Sequence, residues 1–223
     1  MRRLIGICAL LLSLSLVPIC SATVVNASGA GSTIGTAEDL TGLLPTEIKG
    51  TLDGTNPNDV SIFEIVNKQP LDFSAFTQAT GAFGIPDTVL SLFTSSGIGV
   101  LMNDDISGGN TLSCLPSPGV TNPCPTSGAL LPAGVYYLAI SKSFNYPIDG
   151  FGNEIFQPVS STDVVGPSSA FPLAGWDGNG ASSPDFDLVN YDIVLGGTAP
   201  EPATWLLLLS AGLSLGLLRR RRS

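Results

Sequence analysis

Apolar and polar residues alternate along several short stretches of this chain, with clusters of Gly, Pro, Ser, Thr, Asn and Asp between them. In 88–95 (TVLSLFTS) Leu90 and Leu92 share a face. In 134–141 (GVYYLAIS) the set is Tyr136, Leu138 and Ile140, and in 186–195 (FDLVNYDIVL) it is Val189, Tyr191, Ile193 and Leu195. A period of two is the side-chain period of a half-buried strand. Three further runs rich in β-branched and aromatic residues are 59–66 (DVSIFEIV), 71–79 (LDFSAFTQA) and 99–104 (GVLMND). No window of the body repeats at helical spacing. Short strands between regular turn signals predict an all-β domain, an antiparallel jelly-roll-like β-sandwich over 50–197. Residues 28–49 read as an exposed lead-in with at most one edge strand. Residues 144–184 read as a long, loop-rich insertion before the last strand.

Both ends of the chain break this pattern. Met-Arg-Arg, an apolar run from Leu4 to Val17 and then small residues predict a helical secretory signal peptide over 1–27. Cleavage fits after Ala27, behind Val25-Asn26, or after Ala22. Cys20 follows Val17-Pro18-Ile19, which lacks the small residue a lipobox places before its cysteine, so lipidation is not expected. At the other end the apolar run 203–218 predicts a transmembrane helix about 24 Å long. It falls short of a hydrocarbon core of about 30 Å, and snorkelling arginines with local bilayer thinning cover the difference. Arg219, Arg220, Arg221 and Arg222 hold that end in the cytoplasm, and Trp205 suits the interface.

Pro200-Glu201-Pro202, the short apolar helix with Gly212 and Gly216, and the arginine cluster together resemble the PEP-CTERM sorting signal of Gram-negative bacteria over 200–223. The resemblance implies passage through the Sec translocon and transient inner-membrane anchoring. It further implies cleavage near Pro-Glu-Pro by an exosortase and release to the cell surface or an exopolysaccharide matrix. Ala199 stands where members often have Val, and a permanent C-terminal anchor is the other reading of the tail. The strand runs carry a second resemblance, through Asn58-Asp59-Val60-Ser61-Ile62-Phe63, Asp87-Thr88-Val89-Leu90-Ser91-Leu92-Phe93, Gly97 with Asn103-Asp104-Asp105, and Leu131 to Ile140. Their order is similar to the bacterial pre-peptidase C-terminal (PPC) β-sandwich, which implies an accessory module without a catalytic centre. The insertion at 144–184 departs from that compact pattern.

Charge sharpens the picture. Between Ser28 and Ala199 stand 17 acidic residues and three basic ones, Lys49, Lys68 and Lys142, for a net charge of −14. Such a body repels nucleic acid and attracts cations. The chain has no histidine, which excludes a Ser-His-Asp triad, a Cys-His dyad and a His-ligated zinc. Cys8 and Cys20 belong to the signal peptide, so Cys114 and Cys124 are expected to form one disulfide in an oxidising compartment, with free thiols as the alternative.

Carboxylates remain the usable chemistry. Asn103, Asp104 and Asp105 beside Gly108-Gly109 form a candidate Ca²⁺ site, and the turns Asp53 to Asp59 and Asp177 to Gly180 are further oxygen-rich candidates. Each also has the composition that tight turns select. Trp176 is either a sugar platform or a plug under the insertion. The expectation is therefore an exported, non-catalytic surface or matrix protein, whose partners after export are exopolysaccharide or other surface proteins. The alternatives are an accessory or regulatory module for a separately encoded peptidase, and a secreted hydrolase using a carboxylate pair.

Overall fold

Five strands form each of two sheets in the computed structural model, which describes residues 22–53, 56, 58–68, 73–79, 87–115, 131–158, 160–180 and 189–198. The first sheet contains β1 (Val24–Asn26), β3 (Glu47–Leu52), β5 (Ser74–Thr77), β8 (Cys114–Leu115) and β12 (Val189–Gly196), in the order β1-β3-β12-β5-β8. The second contains β2 (Glu38–Asp39), β4 (Val60–Asn67), β6 (Thr88–Thr94), β7 (Gly99–Asn103) and β9 (Gly134–Lys142), in the order β2-β4-β9-β6-β7. The signal helix expected over 1–27 lies outside the described residues as far as 21, and the tail 200–223 lies wholly outside them. No helix among the described residues is long and apolar enough to cross a membrane.

The expected alternation packs the sheets face to face. Tyr191, Ile193 and Leu195 from β12 and Ile48 and Leu52 from β3 meet Phe63, Ile65, Leu90, Leu92, Leu138 and Ile140 from the second sheet in one core. Phe63 and Tyr191 touch across it edge to face, with ring centroids 6.3 Å apart. Gly50 makes this possible, because a Cβ there would stand 2.2 Å from the Tyr191 Oη.

The structure departs from the sequence reading in several places. Both sheets are mixed rather than purely antiparallel, since β1 pairs parallel with β3 and β2 parallel with β4. These pairs arise because β1 and β2 are each followed by a long connection, which parallel neighbours require. Residues 28–49 are more than a lead-in: they carry β2, Leu40 in the core and the first half of β3, a strand flanked by β1 and β12. The boundary at Ala27 likewise falls just past β1. The alternative, Ala22, is where the compact unit 22–199 begins.

The segment 144–184 is also more than loop. It contains an antiparallel ribbon of β10 (Pro147–Asp149) and β11 (Leu173–Trp176). Ile155, Phe156, Leu173 and Trp176 from this segment pack on Val60, Ile62, Val89 and Phe93, the outward side of the second sheet. That sheet is buried on both faces, so its strands read as nearly continuous apolar runs.

Strand direction fixes where the ends lie. Val24 and Val194 both flank Glu47, so the chain enters and leaves the first sheet at the same end, where Gly197 O accepts from Lys68 N just past β4. At the opposite end β4 and β6 begin, β7 and β9 finish, and the Lys142 Nζ reaches the Asp53 carbonyl at the end of β3 at 3.3 Å.

Candidate functional site

The β6–β7 hairpin builds the site. Gly97 turns the chain with φ +81°, donating to the Thr94 carbonyl at 2.8 Å while Thr94 N donates to Ile98 O. From there Leu92 pairs with Leu101 and Leu90 with Asn103. Carried past the last pair, this register sets Asp105, just after β7, opposite Thr88, so that Asp87, just before β6, comes beside Asp104 and Asp105. One carboxylate oxygen from each of Asp87, Asp104 and Asp105 lies within 4.8 Å of the others. They line a cavity of about 430 Å³ whose wall also includes Phe144, Tyr146 and Glu154.

Asp104 is the buried member, 3 % exposed. Its Oδ2 accepts from the Tyr146 hydroxyl at 2.9 Å and the Ser143 hydroxyl at 3.2 Å, while its Oδ1 is buried with no hydrogen-bond partner. Burial lifts its carboxyl to about 7. The Tyr146 hydrogen bond opposes that rise, the charges of Asp105 and Asp87 add to it, and the Ser143 hydrogen bond opposes it weakly. Burial and then the Asp104 charge push the Tyr146 hydroxyl far above its usual range, so it stays a donor. Burial, followed by the charge of Asp177, also raises Glu154. Asp105 is half-buried and held by its backbone, its N–H donating to Ser161 O at 2.8 Å.

Of the expected set, Asp104 and Asp105 belong to this carboxylate cluster, and the Asn103 side chain is hydrogen-bonded to the backbone beside it. Asn103 is fully buried. Its Oδ1 accepts from Cys114 N at 2.7 Å, and its Nδ2 donates to the carbonyls of Asp105 at 2.9 Å and Asp163 at 3.1 Å. Its amide thus holds the backbone that carries Asp105. The residue that sequence reasoning missed is Asp87. The two runs 88–95 and 99–104 already predicted neighbouring strands, and folding them as a hairpin brings the residue before the first beside those after the second.

The other candidates resolve as turns. Asp59 spends Oδ2 on Asp53 N at 2.6 Å and Oδ1 on Val60 N at 3.1 Å. Asp177 accepts from the Tyr146 and Asn179 backbones and from the Asn179 side chain. Trp176, half-buried, donates its indole N–H to Ser32 O at 2.9 Å and packs on the outward side of the second sheet. Cys114 is buried and disulfide-bonded. Its expected partner Cys124 lies outside the described residues, as do Pro200, Glu201, Pro202 and Arg219 to Arg222.

The exposed aromatic pair lies elsewhere, at Phe151 and Phe171, with centroids 4.9 Å apart. Asp149 braces both loops, accepting from Phe151 N at 2.9 Å and from the Ser169 hydroxyl at 2.7 Å, and Ser169 in turn accepts from Phe171 N.

Chemically the cluster offers oxygen ligands alone. With no histidine in the chain, it has no imidazole base to activate a nucleophile. The raised carboxyl of Asp104 is a poor general acid for a glycoside, because Oδ1 is covered and Oδ2 is occupied by Tyr146 and Ser143. The chain matches no protein-family model and no curated protein.

Proposed function

We propose that this chain is an exported, non-catalytic protein of the cell surface or extracellular matrix, and that its sandwich works by binding. In this reading the Sec translocon exports it, the signal peptide is removed after Ala22 so that β1 is kept, and the C-terminal helix holds it transiently in the inner membrane. An exosortase then cuts at Pro200-Glu201-Pro202, and the jelly-roll-like, PPC-like body joins the exopolysaccharide or other surface proteins. The observation that carries the binding reading is the cluster of Asp87, Asp104 and Asp105, three carboxylates converging at one cavity with no histidine base anywhere in the chain.

The test of the export reading is processing in a host that encodes an exosortase. Intact mass should place the mature N-terminus at Thr23 and show a product without Arg219 to Arg222, and Glu201→Ala should accumulate as a longer species in the membrane fraction. Surface protein that still carries the four arginines refutes sorting by this route.

A further inference from the structure

We infer that Asp87, Asp104 and Asp105 form a calcium site at the open end of the β6–β7 hairpin. The inference rests on the reading of the sandwich as a binding module and deepens it, but it does not depend on the export route.

Geometry is the first support. The three carboxylate oxygens lie within 4.8 Å of one another. An ion with ligands at about 2.3–2.6 Å spans roughly 5 Å between oxygens on its opposite sides, so one Ca²⁺ can meet all three without moving the strands. The second support is the buried Asp104 Oδ1, which has no hydrogen-bond partner in a residue only 3 % exposed. Buried acceptors are nearly always paired, and a carboxylate is the costliest to leave alone. No basic side chain pairs with Asp104 or Asp105 among the described residues. A cation therefore supplies what the protein does not. The third support is orientation: Tyr146 and Ser143 fix the Asp104 Oδ2, the way outer residues hold a ligating carboxylate.

The donor set selects the ion. It contains no imidazole, and Cys114, the one cysteine among the described residues, is tied in a disulfide, so metals that want nitrogen or sulfur are poorly served. Mg²⁺ demands a near-ideal octahedron at about 2.0–2.1 Å, whereas Ca²⁺ accepts six to eight oxygens in irregular arrangement. Carboxylates from two strand ends, facing a cavity of about 430 Å³ that admits water to complete the shell, suit the larger ion.

The test uses the full chain, exported in a bacterial host, purified in mild detergent and stripped with EGTA. Millimolar CaCl₂ should raise the melting temperature by several degrees. MgCl₂ should raise it less, and NaCl of matched ionic strength should leave it near the EGTA value. Asp87→Asn and Asp105→Asn should each lose the calcium shift, and Asp39→Asn, an exposed carboxylate on β2, should keep it. On the unaltered protein, Tb³⁺ should luminesce under tyrosine excitation and be displaced by Ca²⁺. Tyr146→Phe should lose most of that signal and weaken calcium binding about tenfold. Equal shifts with Ca²⁺, Mg²⁺ and NaCl would mean diffuse screening and overturn the site. A calcium shift that survives Asp87→Asn, or terbium luminescence indifferent to calcium, overturns it equally. Processing of the tail is read in cell fractions, so failure of either proposal is visible without the other.

Discussion

Replacing Asp104 by Asn should make the calcium-free protein more stable. Asn keeps an oxygen for the Tyr146 and Ser143 hydroxyls and removes the buried charge whose Oδ1 has no partner. The magnitude follows from linkage. The Asp104 carboxyl sits at about 7 in the folded chain against 3.8 for the free side chain. Between those values the native state holds a proton that the unfolded state has released, so native stability falls as pH rises through the window. The penalty is absent below the lower value and complete above the upper one, where it reaches at most about 4 kcal/mol. The assay is urea unfolding in EGTA at about pH 8 and about pH 5, for wild type and Asp104→Asn, reading the difference between the two so that other titrating groups cancel. The variant should lead at the higher pH by up to that amount and lose most of its advantage at the lower. In saturating calcium the order should reverse, because only the wild type gains an ion. A variant less stable than wild type in EGTA at the higher pH, or a difference that does not change with pH, would refute the account of Asp104 as a buried, unpaired carboxyl.

Three further outcomes test the scaffold. Gly50→Ala should cost about 1–3 kcal/mol in urea unfolding, because the new methyl meets the buried Tyr191 ring, and Tyr191→Leu in the same chain should recover part of that loss; strict additivity would argue against the contact. Asn103→Ala should cost at least about 2 kcal/mol, since it strands the Cys114 N–H and two carbonyls, and it should also weaken calcium binding by loosening Asp105. Dithiothreitol should lower the melting temperature of the wild type and leave that of Cys114→Ser unchanged; two alkylatable thiols in the unreduced mature protein would contradict the disulfide.

The strands that form clear apolar runs were legible: β4, β6, β7 and β9 match the sequence runs to within a residue at each end, and β12 to within three. β3 was not, because Glu-Ile-Lys-Gly-Thr-Leu shows just two apolar residues around a glycine, and the reason for that glycine is Tyr191, far along the chain. The role of 144–184 had a readable trace in the outward residues Val60, Ile62, Val89 and Phe93, which make the second sheet apolar on both faces and so require a cover. Which segment supplies the cover depends on long-range packing. At the site, the residue types pointed to Asp104 and Asp105. They gave no sign that the Asn103 amide would be hydrogen-bonded to the backbone, and only strand register could add Asp87.

One consequence follows from the two ends of the strands. The chain enters and leaves the sandwich beside Glu47, and Asp87, Asp104 and Asp105 sit where β6 begins and β7 finishes, the length of β4 away. At about 3.3 Å per residue that strand is roughly 25 Å long. A ligand taken up at the acidic cluster is therefore held at the end of the strands far from Glu47, where it crowds neither Val24 nor Val194.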